Sequence, residues 1–188
     1  MQSNNERLFN FSIQSKNNAV ILILLFAFFL RLFFMYFYPD QNFPDAKAYK
    51  FIGEQIFSGN IITNNIYMPL YPIISYLTGG GSFQIIFDIL ISVVSIWIIY
   101  LLSLHLFKDR FSAFLSSIIA AFYPHYIFYS ISGLTEVFFT FLLLLCFLMF
   151  YKKRYFLAIV ISILAILVKP TFDFLNPVLI ILFIAVFI

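Results

Sequence analysis

Charge is scarce in this sequence: only 10% of its 188 residues are Asp, Glu, Lys or Arg, against 63% hydrophobic and 22% aromatic residues. That scarcity excludes a water-soluble domain of this size, whose outside needs polar cover. Lipid, by contrast, accepts apolar side chains on every face of a helix. Cysteine is almost missing. The lone Cys146 excludes an internal disulfide, and with two histidines in the chain no Cys/His spacing suits zinc or an iron–sulfur cluster. The residues therefore call for no cofactor, although a divalent cation stays open. The formal net charge of +3 comes without a basic stripe interleaved with exposed aromatics, which speaks against nucleic acid as a partner. The 28 phenylalanines fit an AT-rich genome and carry no functional weight.

What is present in quantity is apolar sequence in long blocks. About 20 residues at 1.5 Å rise cross a hydrocarbon core of ~30 Å. Residues 19–38 form the first such block, broken only by Arg31, after a polar tail at 1–18. No small-residue cleavage site follows, so it reads as an anchor and not a signal peptide. Further blocks lie at about 83–107, 111–126, 134–151, 155–168 and 174–188, giving an all-α, polytopic transmembrane bundle of about six spans. Ser82 is the expected N-cap of the second. Tyr123-Pro124-His125 disturbs the third, with a turn expected over 127–133. The fifth is short, and the sixth stops while still apolar, which reads as a truncated chain. The one long loop, 39–82, is rich in proline and glycine. Within it, residues 45–57 place Tyr49, Ile52, Ile56 and Phe57 at helical spacing, so a short amphipathic surface helix is expected there.

The basic residues order these blocks. Arg7 and Lys16, then Lys108 and Arg110, then Lys152, Lys153 and Arg154 all fall on one side when the spans are counted. The positive-inside rule makes that side cytoplasmic, with the N-terminus inside. The 39–82 loop, the 127–136 turn and the 169–173 turn then lie outside, together with Asp40, Asp45, Glu54 and Asp173. Glu136 sits at the outer end of the fourth span and Asp88 in the outer half of the second.

Ionisable residues inside apolar spans mark a site, a relay or a pairing. The plainer reading is that Arg31 snorkels outward to pair with Asp88 or Asp40. Glu136 at a helix start is also favoured by the helix dipole. Residues 67–72, Tyr-Met-Pro-Leu-Tyr-Pro, read alone as an extended, proline-stiffened connector with interfacial tyrosines. His125, His105 and Lys169 each have an interfacial reading of the same kind.

Their order is more telling than any one of them. A helix with a late Arg31 leads to Phe43-Pro44-Asp45-Ala46-Lys47-Ala48-Tyr49, then Gly59, then Pro69-Leu70-Tyr71-Pro72. Further on come Tyr123-Pro124, Leu134-Thr135-Glu136 and Lys169-Pro170. Over roughly residues 31–173 this resembles the N-terminal half of the GT-C membrane glycosyltransferases. The nearest branch is the protein mannosyltransferase-like and 4-amino-arabinose lipid A transferase-like one. The resemblance implies a polyprenyl-phosphate sugar donor, a lipid, protein or glycan acceptor at the outer face, hexosyl or pentosyl transfer with inversion, and a bacterial plasma (inner) membrane location. It makes Asp45 the catalytic carboxylate, able to take a proton from an attacking hydroxyl. Arg31, Tyr49, Tyr67, Tyr71, His125, Glu136 and Lys169 become substrate-binding residues, with Lys169 near the leaving phosphate. Two departures stand out: Lys169 occupies a place where the family usually has arginine, giving a point charge and no fork, and Asp45 lacks a neighbouring Glu.

Family members carry more spans, so a second polypeptide supplying the rest is the matching expectation for a chain of this length. Two other functions fit the composition. A small transporter or flippase component would line a path with Arg31, Asp88 and Glu136. A non-catalytic membrane protein from an interrupted gene would use none of them.

Overall fold

A computed structural model describes residues 2–38, 43–59 and 67–169, with side chains in the first segment described from Ala19 onward. The apolar block 174–188, Asp40, Pro170 and Asp173 lie outside the described residues. Every regular element among them is helical.

Helix α1 runs over Gln2–Phe37, so the segment expected as a tail continues the first span as helix. Its apolar part, Ala19–Phe37, and α4, Gly81–Phe107, are long and apolar enough to cross a membrane. The bent pair α5, Arg110–Phe122, and α6, Pro124–Ser130, whose axes meet at 57°, is long and apolar enough only when the two are taken together, as a broken span or a re-entrant loop. Pro124 explains the bend. It has no N–H to give, and its ring drives the preceding residue out of the helical region. Tyr123 accordingly sits at φ −64°, ψ 114°. Helix resumes at once, so the expected turn over 127–133 begins only at Ile131 and closes through Gly133 at φ +65°.

Helices α7, Thr135–Tyr151, and α8, Tyr155–Ile166, are apolar but short, at 17 and 12 residues. By helix rise they measure about 25 and 18 Å, under the ~30 Å of a hydrocarbon core. Among the described residues, therefore, two helices are long and apolar enough to cross a membrane, or three if the bent pair is one span, and α8 ends before Lys169.

The long loop contains two helices. The expected surface helix is α2, Pro44–Phe57, with Pro at its first position and Asp45 in its first turn. The second corrects the reading of residues 67–72 as an extended connector: α3 covers Leu70–Leu77, with Pro69 as N-cap and Pro72 in the first turn. Proline is tolerated there because the first-turn N–H groups have no partner in the helix anyway. Helix α4 starts at Gly81 with Gly80 as its cap at φ +67°, ahead of the expected Ser82 cap.

Helix α4 is the central element, touching α1, α5, α6 and α7. Its buried side is its polar one: Gln84, Asp88, Ser92 and Ser95 recur at helical spacing and are all buried. Ser92 and Ser95 donate back to the carbonyls of Ile89 and Ile91, at 2.7 and 2.8 Å, which leaves small, satisfied surfaces for close helix packing. Ala27, Ile96 and Ala121 form the core between α1, α4 and α5. A second core of Tyr49, Tyr71, Phe138, Leu142, Ala165 and Val168 joins the loop helices to α7 and α8.

The two basic turns share one end of the bundle, where the Tyr151 hydroxyl donates to the His105 carbonyl at 3.0 Å. There Asp109 caps α5 through the N–H groups of Phe111 and Ser112 and the Ser112 hydroxyl. The Ser112 hydroxyl first, and the backbone donors after it, hold the Asp109 carboxyl below its ordinary range. The loop helices occupy the opposite end.

Candidate functional site

Backbone contacts bring the loop back onto the bundle. The Leu70 N–H donates to the Leu167 carbonyl at 3.0 Å, tying the start of α3 to the end of α8. Gly133, in the α6–α7 turn, lies against Ala46 near the start of α2, and Phe43 packs edge-to-face on Phe128 of α6 at 5.8 Å. Helices α2 and α3 cross at Gly53, where a β-carbon would stand 2.4 Å from the Pro72 carbonyl oxygen. Glycine is what permits this approach.

These contacts gather seven of the eight residues assigned to the site in the sequence, all but Arg31. Asp45 is exposed in the first turn of α2. One of its carboxylate oxygens accepts a 2.7 Å hydrogen bond from the Tyr67 hydroxyl. Tyr49 lies one turn on, buried, with its ring edge-to-face against Tyr67 at 5.3 Å and Tyr71 at 4.9 Å. Its hydroxyl faces Thr135, and both Asp45 and Glu136 lie near enough to oppose its ionisation. Burial, with those two carboxylates adding to it, pushes Tyr49 up to about 12. Tyr67 is raised by its bond to Asp45, and Tyr71 well above its ordinary value by burial and then by Asp88. The three phenols therefore stay neutral hydrogen-bond donors, and the exposed carboxylate of Asp45 accepts from Tyr67.

Glu136, in the first turn of α7, accepts a 2.9 Å bond from Lys169 beyond the end of α8. Glu136 also lines a cavity of about 670 Å³ with Tyr123, His125, Tyr126, Tyr129 and Thr140. This cavity stands where the α5–α6 break opens the bundle. His125 thus joins the site through the cavity, beside Glu136, and stays exposed.

Two expectations are corrected. Arg31 is 0% exposed and does not snorkel, and it does not pair with Asp88. Its Nη1 donates to the Ala27 carbonyl at 3.0 Å and the Ala121 carbonyl at 3.4 Å, and its guanidinium carbon sits 5.6 Å from the centre of the Tyr126 ring. The broken end of α5 leaves carbonyls without helical donors at the negative end of a dipole, and a cation is drawn to them. Asp88, also 0% exposed, accepts from the Tyr71 hydroxyl at 2.7 Å and from Gln84 Nε2 at 3.3 Å, while Gln84 accepts from Thr78 at 2.6 Å. Arg31, Asp88 and Glu136 therefore belong to three separate hydrogen-bonded sets.

Gln84 and Tyr126 were not singled out in the sequence, and Thr135 entered only as part of the Leu134-Thr135-Glu136 motif. Gln84 carries a signal, being one helical turn ahead of Asp88. Thr135 and Tyr126 stand beside Glu136 and His125, with nothing local to show which way they face. Among the described residues no group of three or more His, Cys, Asp or Glu side chains could hold a metal ion. Comparison with protein-family models, curated proteins and solved structures returns no match.

Proposed function

We infer that the protein transfers a sugar from a polyprenyl-phosphate donor to an acceptor hydroxyl at the outer membrane face, in the manner of the GT-C glycosyltransferases its motifs resemble. The observation that carries this reading is the Asp45–Tyr67 pair: an exposed carboxylate, held in one orientation at the start of a surface helix. It stands one helical turn from Tyr49, which adjoins Glu136 and so the cavity. In this reading the chain is a bundle of about six spans, with the basic turns in the cytoplasm of a bacterial plasma membrane and the loop helices outside.

The reaction follows from that arrangement. Asp45 accepts the proton of the acceptor hydroxyl as its oxygen bonds to the anomeric carbon. The bond from that carbon to the phosphate oxygen breaks, and the electron pair leaves with the polyprenyl phosphate. Lys169 spends one of its three N–H donors on Glu136 and has two for the charge growing on the leaving group. Tyr67 keeps the carboxylate aimed without taking its proton, because its own phenol is held neutral.

The test uses proteoliposomes containing the full chain and a set of radiolabelled polyprenyl-phosphate hexose and pentose donors. Asp45→Asn abolishes transfer and leaves insertion and yield unchanged. Transfer by the Asn variant at the wild-type rate rejects the assignment.

A further inference from the structure

The seam between α1, α4 and α5 is closed at one level and open at another. Ala27, Ile96 and Ala121 shut it. About two helical turns on toward the basic end, the same faces of α1 and α5 present Val20 and Phe114, and these bulkier side chains leave a groove of about 270 Å³. Its walls are Ala19 and Val20 of α1, Tyr100 of α4, and Arg110, Phe111 and Phe114 of α5. Tyr100 precedes the last residue of α4, Phe107, by about 10 Å along the helix, so the groove runs from the level of Arg110 into the apolar layer. Arg110 and Tyr100 are its polar members.

The end of the bundle around this groove is cationic. Lys108, Arg110, Lys152, Lys153 and Arg154 are all exposed there, and among the described residues none of them makes an ion pair. Asp109, the acid of the α4–α5 turn, is committed to the first-turn donors of α5. That helix start is therefore already capped, and the Arg110 guanidinium beside it is the group with donors to give. Lys152, Lys153 and Arg154 belong to the α7–α8 turn, which meets this end of α4 through Tyr151 and His105 and takes no part in the groove. A snorkelling arginine by itself requires no groove. An apolar groove beneath a cation matches a molecule with an anionic head and an apolar tail.

We propose that this groove seats an anionic phospholipid from the leaflet at the basic end, with its phosphate on the Arg110 fork and one acyl chain along Val20, Tyr100 and Phe114. The lipid is bound as a structural ligand and undergoes no reaction. The groove lies at the end of the bundle opposite the loop helices and shares no residue with the cavity at Glu136. The inference does not rest on sugar transfer.

Trp97, the only tryptophan, is exposed on α4 about one helical turn from Tyr100 and reports lipid contact by its fluorescence. The full chain is reconstituted into symmetric phosphatidylcholine vesicles carrying a minor share of dibrominated phosphatidylglycerol or dibrominated phosphatidylcholine. Stronger quenching by the anionic lipid is expected, equivalent to a preference of about threefold or more, the order expected of one cation near a headgroup. Arg110→Gln removes most of that preference. The combined Lys152→Gln, Lys153→Gln and Arg154→Gln variant removes more charge and keeps most of it. Ala19→Phe leaves every charge in place, fills the groove, and loses the preference. Equal quenching by the two lipids in the wild type overturns the proposal and leaves the groove to a neutral chain or a protein segment. A triple variant that loses as much as Arg110→Gln, or an Ala19→Phe variant that keeps the wild-type preference, overturns it too, because a diffuse field and not the groove then selects the lipid. Asp45→Asn keeps the preference, so a failed transfer assay leaves this result standing.

Discussion

The hydroxyl of Tyr71, on a loop helix, reaches Asp88 inside the central α4 at 2.7 Å, and both residues are 0% exposed. This bond fastens the loop layer to the bundle below it, and Tyr49 then packs edge-to-face on the Tyr71 ring. Tyr71→Phe keeps the ring and strands one oxygen of Asp88. An unsatisfied buried acceptor costs about 1–3 kcal/mol, more when charged. A lower thermal unfolding midpoint in detergent is expected, and an unchanged midpoint contradicts the anchoring role.

Gly53→Ala tests the crossing of α2 and α3. Alanine normally favours a helix by about 1 kcal/mol over glycine. Here the added carbon meets the Pro72 carbonyl oxygen at 2.4 Å and the Tyr76 β-carbon at 2.6 Å, both on a packed helix that cannot yield cheaply. Overpacking of this kind costs about 1–3 kcal/mol, so the clash wins. Faster limited proteolysis between α2 and α3 is the expected readout.

The Glu136–Lys169 pair is about one-third exposed on each side, at 32% and 33%. Such pairs contribute about 0.2–1 kcal/mol, and salt screens them further. A double-mutant cycle with Glu136→Gln and Lys169→Met gives a coupling below about 1 kcal/mol that shrinks at high salt. Each single variant is expected to lower transfer activity far more than it lowers stability.

Alkaline titration reads Tyr49. Its folded-state value of about 12 lies above the ordinary phenol value near 10. Between those values the unfolded chain has lost a proton that the folded chain keeps, so stability falls as pH rises through that window and is fully present below it. Tyrosinate absorbance accompanies the transition. Tyr49→Phe removes this part of the alkaline loss. In Asp45→Asn, Tyr67 loses the partner that raises it and ionises at lower pH.

Helix α2 was legible because Pro44 and Asp45 open it and Tyr49 and Ile52 repeat at its period. Helix α3 was not, because Pro69 and Pro72 look alike whether they stiffen an extended strand or occupy a first turn where no N–H is missed. Arg31, Asp88 and Glu136 could be seen as costly in lipid, but their partners could not be read. Ala121 becomes available to Arg31 only because α5 breaks, and Tyr71 meets Asp88 only after the loop folds back. Apolar blocks at 134–151 and 155–168 gave no measure of helix length, since hydropathy does not reveal where α8 stops.

The Leu70–Leu167 backbone bond also has a consequence in time. Its donor emerges from the ribosome about a hundred residues before its acceptor, on the order of ten seconds at ordinary synthesis rates. Until α8 is made, α3 can dock on α4 through Tyr71 and Asp88 but lacks the backbone tie at Leu70. Assembly at this end of the bundle is thus finished late: the segment translated early is completed by the one translated last, and a nascent chain released before residue 167 carries the loop tyrosines and their bonds to Asp45 and Asp88 without the backbone tie that closes their layer onto α8.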